Sequence, residues 1–382
     1  MIILDEPYVS EELKDFLETS RTPVLKNAFA EANAGTRRFN FVSDSEARKL
    51  LARGERLYTI SENALDWIVG NSDDGNRRRA IETMKNKTAM RRLLRKVYPD
   101  FFFREIPVEE LRAVDFDELP VPVILKPSIG FFSVGVHTIR TREDWESALS
   151  DVEKNSFRWK ERYPSSVLGN TSFLVEQYIR GEEYAVDLYF DSEGKAVVLN
   201  VLKHEFASAQ DVTDRLYYTS KKILLARLAQ FTEFFDRVNA ELGARNFPAH
   251  VELRVENGRV VPIEFNPMRF AGLCSNEVSL FAFGFRSYEY FLKNEKPDWE
   301  KILAGTDDDS VFTLCVLTAP SPCPDFRGFD YAALRSRFEK VLCLREMDAK
   351  ALGTFGFLFI ETRKREELDF LLSSDLTEFL VR

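Results

Sequence analysis

The chain is poor in the residues that announce several familiar chemistries. Only four of its 382 residues are cysteine, Cys274, Cys315, Cys323 and Cys343. No two stand in C-x-x-C spacing, which excludes a zinc cluster or a disulfide framework as the organising feature. No apolar run approaches the length of a membrane span. Met1-Ile2-Ile3-Leu4-Asp5-Glu6 has neither the basic start nor the cleavage site of a secretory leader, so a cytoplasmic protein with no membrane partner is expected. Positive charge is not in excess: 53 Lys and Arg stand against 62 Asp and Glu, a net charge of -9, which argues against nucleic acid as a partner. The basic runs Arg77-Arg78-Arg79 and Arg91-Arg92 read as solvated helix faces. The chain also lacks a strand-linked G-x-G-x-x-G, a G-x-S-x-G elbow and a Cys-His pairing, so neither a dinucleotide fold nor a covalent enzyme intermediate is indicated. There is no internal repeat.

What is present is a set of oxygen ligands and phosphate-binding groups. His250-Val251-Glu252-Leu253-Arg254 and Ile263-Glu264-Phe265-Asn266-Pro267 each alternate apolar with polar residues, and Glu256-Asn257-Gly258-Arg259 between them reads as a hairpin turn. Side chains at i and i+2 of a strand share a face. Glu264 and Asn266 therefore point the same way, and the hairpin brings Glu252 alongside. Two carboxylates and an amide oxygen, with neither thiol nor imidazole set, favour Mg2+ or Mn2+ completed by phosphate and water. Upstream, Val123-Ile124-Leu125-Lys126-Pro127 is an apolar run ending in lysine, followed by a loop containing Ser128, Gly130, Ser133 and Gly135. Such a loop can cover phosphates through backbone N–H groups and hydroxyls, with the lysine as a point charge. It is not a Walker loop, because Val136-His137 stands where Lys-Ser/Thr is required. Phe173 to Asp187 reads as strand, short linker, strand, the shape of a hinge.

In this order the pieces resemble the ATP-grasp superfamily, in which two α+β subdomains clamp ATP, over roughly Lys85 to Gly272. The resemblance implies that Lys126 holds the α- and β-phosphates and that the 128–135 loop closes over the β- and γ-phosphates. It implies an adenine hinge at Glu176, Gln177, Tyr178 and Ile179, with main-chain contacts from Gln177 and Ile179, and Glu183 on the ribose hydroxyls. Glu252, Glu264 and Asn266 would hold one or two magnesium ions, and Lys87, with Lys85 as fallback, matches the family's earlier helical lysine. Two departures stand out. Phe131-Phe132 makes the phosphate loop bulkier than in many relatives, and Met268 displaces Arg269 by one position from the family's Asn-Pro-Arg pattern.

The fold class expected is α/β and α+β: a small α/β domain at 1–83, ATP-grasp subdomains at 84–186 and 187–296, and an α+β module at 297–382 that serves as interface or lid support. Asn76 to Val97 reads as a long basic helix with a break near Asn86. By the resemblance, the activity implied is an ATP-dependent carboxylate–amine ligase acting through an acyl-phosphate, on amino acids or a peptide-like metabolite. A phosphotransferase, an acid–thiol ligase and a non-catalytic ATP sensor are the alternatives. Phosphoryl transfer to a carboxylate needs positioning and charge neutralisation rather than a protein nucleophile. Arg269 is a candidate for the γ-phosphate, and His250, on the face of Glu252, for the reacting carbonyl, against the plainer reading of a histidine satisfied within the sheet. Arg215, in a polar loop from Ala207 to Thr219, is a candidate for a substrate carboxylate. Dimers are common in such families, which leaves room for a homodimer.

Overall fold

A computed structural model describes residues 1–129, 135–162, 172–208, 213–320 and 323–382. The chain begins with four short parallel strands, β1 (Ile2–Ile3), β2 (Pro23–Leu25), β3 (Asn40–Val42) and β4 (Tyr58–Thr59), in sheet order β3-β2-β1-β4. Three helices connect them, α1 (Glu11–Ser20), α2 (Ala28–Ala34) and α3 (Asp44–Ala52). Each starts where a side-chain oxygen accepts from an otherwise orphaned N–H: Ser10 from Leu13, Asn27 from Ala30 and Ser43 from Glu46, the last in a full capping box. This is the α/β alternation expected from the sequence.

After α4 (Leu65–Asn71), the long basic helix is two helices, α5 (Gly75–Lys85) and α6 (Lys87–Leu94). Asn86 ends the first in an extended conformation (ψ 104°) and caps the second by accepting from Ala89 N–H at 2.9 Å. The break fixes the direction in which Lys87 leaves the chain.

The second sheet is antiparallel, β5 (Phe103–Pro107), β6 (Val123–Pro127), β7 (His137–Ile139) and β8 (Ser172–Gln177), in order β5-β8-β6-β7. Trp145, Leu149 and Val152 of α7 (Arg142–Arg162) share a core with Val123, Leu125, Phe173 and Val175 of this sheet. The third sheet has eight strands. It takes in β9 (Glu182–Phe190), β10 (Ala196–Glu205), β11 (Leu216–Ser220), β12 (Phe247–Glu256), β13 (Arg259–Pro267) and β14 (Val311–Thr318). After β15 (Gly328–Phe329), which pairs only with β18 (Leu380–Val381), come β16 (Lys340–Glu346) and β17 (Thr354–Thr362). The order of the eight is β13-β12-β9-β10-β11-β14-β17-β16. Alternation sorts its faces. Phe247, Ala249, Val251, Leu253 and Val255 join Phe231, Phe234, Phe235, Val238 and Leu242 of α8 (Lys221–Leu242) in one core, and His250, Glu252 and Arg254 are left for the opposite face.

Three expectations change. The break placed at 186/187 falls inside β9, which runs unbroken through both residues; the second and third sheets are joined instead by the segment 178–181 between β8 and β9. Gly181 has φ 102°, and a Cβ there would stand 2.2 Å from the Val255 carbonyl oxygen, so only glycine fits. The C-terminal region is not a separate module: β14 pairs with β11 from Leu216↔Cys315 to Ser220↔Val311, carrying the central sheet onward through β17 and β16. Finally, Tyr217 and Tyr218 belong to β11 rather than to a loop.

Candidate active site

The β12–β13 hairpin turns at Asn257 and Gly258, whose φ values of 51° and 78° suit a tight two-residue connection. Its register sets His250 opposite Asn266 and Glu252 opposite Glu264. Leu253 then pairs with Pro262, so Ile263 is a one-residue bulge that absorbs the mismatch before the two carboxylates. The fold thus brings together the three expected metal ligands. Burial, and then the facing charge of Glu264, push the Glu252 carboxyl well above its ordinary range. Burial would raise Glu264 as well, but Lys87 Nζ at 2.6 Å, with Lys126 and Lys85 beyond it, holds it low. The ion-pair partner of Glu252 among the described residues is His250 Nε2, 3.9 Å away. A half-neutralised carboxylate pair with an adjacent amide fits a hard divalent cation. No cluster of three or more His, Cys, Asp or Glu residues suited to a metal occurs among the described residues, so phosphate and water would have to complete the shell.

The wall built from β6, β8 and α6 is a cation cradle. Glu176 is 1% exposed and receives Lys126 Nζ at 2.6 Å and Arg91 Nε at 2.5 Å. Burial disfavours its charge, yet the two cations overcome this and hold its pKa at about 2. Lys126 is in turn pulled down by burial, with Glu176 opposing. Arg91 also donates to the Pro262 carbonyl at 2.8 Å, tying α6 to the metal strand. The sequence reading of Arg91 as a solvated residue is therefore corrected, as it is for Arg77; both are buried, because successive helical residues point about 100° apart, which turns these two inward and leaves Arg78, Arg79 and Arg92 exposed. Ser128 fastens the start of the phosphate loop: its hydroxyl lies 3.0 Å from those of Thr88 and Ser172, and its carbonyl accepts from Lys87 N–H at 2.8 Å. Gly135 has φ 74°, the left-handed conformation that favours glycine. Gly130, Phe131, Phe132 and Ser133 lie outside the described residues.

At the hinge, Gln177 N–H donates to Phe102 O at 3.0 Å and Tyr178 N–H to Pro122 O at 3.1 Å, while the Ile179 carbonyl accepts from Arg254 at 2.6 Å. Glu183 accepts Arg254 Nε at 2.9 Å on one oxygen and sits 2.8 Å from His204 Nδ1 on the other. Tyr178, Arg180, Glu183, His204, Phe206 and Arg254 border an open cleft of about 540 Å³. Glu183 is thus aimed and braced beside the hinge, by two residues the sequence reading did not single out for it.

On the substrate side, His250 Nδ1 is 2.8 Å from Asp187 Oδ1, which also accepts from Ala271 N–H at 2.8 Å. The histidine is satisfied within the sheet, while its other nitrogen faces Glu252. Arg269 is clamped to Glu62 of the N-terminal domain, at 3.1 and 3.2 Å, and Glu62 also binds Lys85. Burial would raise Glu62, but Arg269 and Lys85 bring it below its usual value. Arg215 is not brought to the site: its guanidinium donates to the carbonyls of Leu371, at 2.6 Å, and Ser374, because β11 aligns the residue with the C-terminal strands. Sequence reasoning missed Glu62 and Asp187. Asp187 carried a signal, standing four residues after Glu183 on the same face of one strand; Glu62 carried none.

Residues 119–277 match the family model described as an ATP-grasp domain. An alanine–anticapsin ligase of Bacillus subtilis is 23% identical over 181 residues, covering 44% of this chain and 37% of that protein, so the chain aligns with little more than a third of that curated relative. Among solved structures, an L-amino acid ligase from Bacillus licheniformis superposes with a TM-score of 0.67 at 17% identity, over 100% of this chain and 97% of that one. An N5-carboxyaminoimidazole synthase from Aspergillus clavatus, in complex with ADP and 5-aminoimidazole ribonucleotide, gives 0.63 at 12% identity, over 99% and 98%. No helix among the described residues is long and apolar enough to cross a membrane. The chain thus carries an ATP-grasp domain match over residues 119–277 and shares its overall fold with the L-amino acid ligase and the synthase just named.

Proposed function

We propose that the protein is an ATP-dependent carboxylate–amine ligase that joins amino acids or closely related small molecules. The observation that carries this reading is the cross-strand pair Glu252–Glu264, with Lys87 bound to Glu264 and Lys126 bound to Glu176 on the neighbouring sheet. Lys126 and Lys87 would neutralise the phosphate oxygens, the hinge from Glu176 to Ile179 would take the adenine, and Glu183, braced by His204 and Arg254, would take the ribose. Glu252, Glu264 and Asn266 would hold Mg2+, which when bound offsets charge on the transferring phosphoryl group. The substrate carboxylate attacks the γ-phosphorus and ADP leaves. The amine, having lost a proton, then attacks the acyl carbon, and phosphate departs as the C–N bond forms. The fixed lysines and carboxylates serve this by positioning and charge, with no protein nucleophile.

The reading is tested by phosphate release from ATP and Mg2+ against pooled amino acids, with products followed by mass spectrometry. Expected is substrate-dependent phosphate release with a product mass equal to acid plus amine minus water. Turnover with no amine present would point instead to a phosphotransferase, and tight ATP binding without any phosphate release would overturn the ligase.

A further inference from the structure

Two residues beyond Glu252 on β12, about 7 Å along the strand, stands a second charged side chain on the same face, Arg254. The register sets Arg254 opposite Glu183 of β9, and Glu183 opposite His204 of β10. Glu183 is held from both sides of this row. Arg254 Nε donates to Oε2 at 2.9 Å with Nη2 at the same distance, and His204 Nδ1 lies 2.8 Å from Oε1. The histidine is fixed in turn: its ring meets those of Tyr217 and Phe206 with centroids 4.1 and 4.0 Å away, and its Nε2 lies 3.2 Å from the Thr213 carbonyl oxygen.

The remaining arm of the guanidinium reaches a different element. Arg254 Nη1 donates to the Ile179 carbonyl at 2.6 Å, and the guanidinium carbon lies 5.5 Å from the centre of the Tyr178 ring. Both residues belong to the segment 178–181 that joins the second sheet to the third. The backbone of that segment is fastened beside Arg254 as well, since Gly181 lies against the carbonyl of Val255, the next residue of β12. One rigid fork thus holds the Glu183 carboxylate of the third sheet and a peptide leading out of the second. A lysine could serve one of these partners but not both, because its ammonium is a single point on a flexible stem. Glu183, Arg254, Tyr178 and Phe206 border the open cleft of about 540 Å³. A carboxylate offers about four lone-pair sites, so Glu183 keeps capacity to accept from hydroxyl groups while its clamps prevent it from turning away. A fixed acceptor of this kind beside aromatic rings suits a vicinal diol carried on a flat base.

We propose that Arg254 sets the selectivity of this site for ribonucleotides over deoxyribonucleotides, by holding Glu183 and the Ile179 peptide in one frame. It is a positioning residue, acting on the nucleotide through Glu183 and Ile179. The assignment rests on the nucleotide-binding part of the reading above and is measured without turnover. The full chain, with Mg2+, is titrated calorimetrically with ATP, 2′-deoxyATP, 3′-deoxyATP and tripolyphosphate. The unaltered chain should bind ATP about tenfold or more tightly than the weaker of the two deoxynucleotides, the scale of a hydrogen bond from a hydroxyl to a charged acceptor. Arg254→Ala should bring that ratio to within about twofold and leave the affinity for tripolyphosphate unchanged, because the phosphates meet the lysines rather than this row. Arg254→Lys keeps the charge and loses the fork; it should fail to restore the ratio, and it serves as the test if the alanine variant does not fold. A merely structural role would lower all four affinities together with the ratio preserved. That result, an intact ratio in Arg254→Lys, or equal binding of ATP and both deoxynucleotides by the unaltered chain would overturn the assignment. Selectivity that depends on Arg254, with no phosphate release on addition of amino acids, would sink the ligase and leave the assignment standing. Amino-acid-dependent phosphate release with equal use of ATP and both deoxynucleotides would do the reverse.

Discussion

Glu176 and Glu252 stand on different sheets, the β8 wall and the β12 wall, and their surroundings drive them in opposite directions. Glu176 lies between Arg91 and Lys126 and is held at about 2. Glu252 is pushed up by burial first and then by the charge of Glu264, with Asp214 and Glu183 adding to it. The first wall is electrostatically complete in the protein alone; on the proposed reading the second is completed by a cation from outside. The same residue type is thus a scaffold in one place and, on the proposed reading, a binding group in the other, and the difference lies in its burial and in what stands around it.

The sharpest test of that contrast exchanges each carboxylate for its amide. Glu252→Gln should lower ATP turnover by at least about 1000-fold, on the order of 4 kcal/mol of transition-state stabilisation. It should leave the fold intact, with an unchanged or higher melting temperature in EDTA, because a like-charge contact has been removed. Wild-type phosphate release by this variant would take Glu252 out of the metal site. Glu176→Gln should do the reverse: with Arg91 and Lys126 buried and unpaired, it should lose about 3–5 kcal/mol of stability in a denaturant melt. A loss below about 1 kcal/mol would mean that the cradle does not depend on its central charge.

Acid should separate the two walls as well. The Glu176 pKa is depressed in the folded chain, so its contribution is fully present above the unfolded value near 4.5 and is lost as pH falls from there toward 2. The total is on the order of 3 kcal/mol. Glu252 has the opposite sign: its folded carboxyl favours the proton, so its ionisation destabilises the metal-free fold as pH rises above the ordinary carboxylate range. Mg2+ binding should accordingly release protons and tighten with rising pH. Calorimetric titrations in buffers of differing ionisation enthalpy would measure this, and proton-neutral binding across that range would contradict it.

These walls also mark where the sequence was legible. The hairpin could be read because alternation and an Asn-Gly turn determine which side chains share a face, and the cross-strand pairing of Glu252 with Glu264 follows from local geometry. The break near Asn86 was legible too, though its basis, the Asn86 cap on the second helix, came from the structure. The partner of Glu176 was not: Arg91 lies 85 residues away and reads as one of a basic pair until the tertiary fold buries it. Glu62 was beyond reach too, since its contact with Arg269 spans 207 residues. The C-terminal strands looked like a separate unit because a hydrophobic strand carries no mark of which sheet it will join; only the pairing of β11 with β14 unites them with the active face.

The smallest expected effect concerns the two candidate arginines, which the same comparison divides. Arg269 is held beside the metal strand by Glu62, whereas Arg215 spends its guanidinium on the carbonyls of Leu371 and Ser374 at the end of a C-terminal helix. Arg215→Ala should then cost about 1–2 kcal/mol of stability, the scale of charge-assisted hydrogen bonds at a partly buried position. It should alter the KM for ATP by no more than about twofold, because nothing it touches lies on either wall of the cleft. Arg269→Ala is the matched control and should reduce kcat much more than stability, since Glu62 keeps Lys85 as a partner. If Arg215→Ala instead reduced kcat tenfold or more with its melting temperature unchanged, the loop would have to reach the substrate in a state other than this one, and the division between the two arginines would fail.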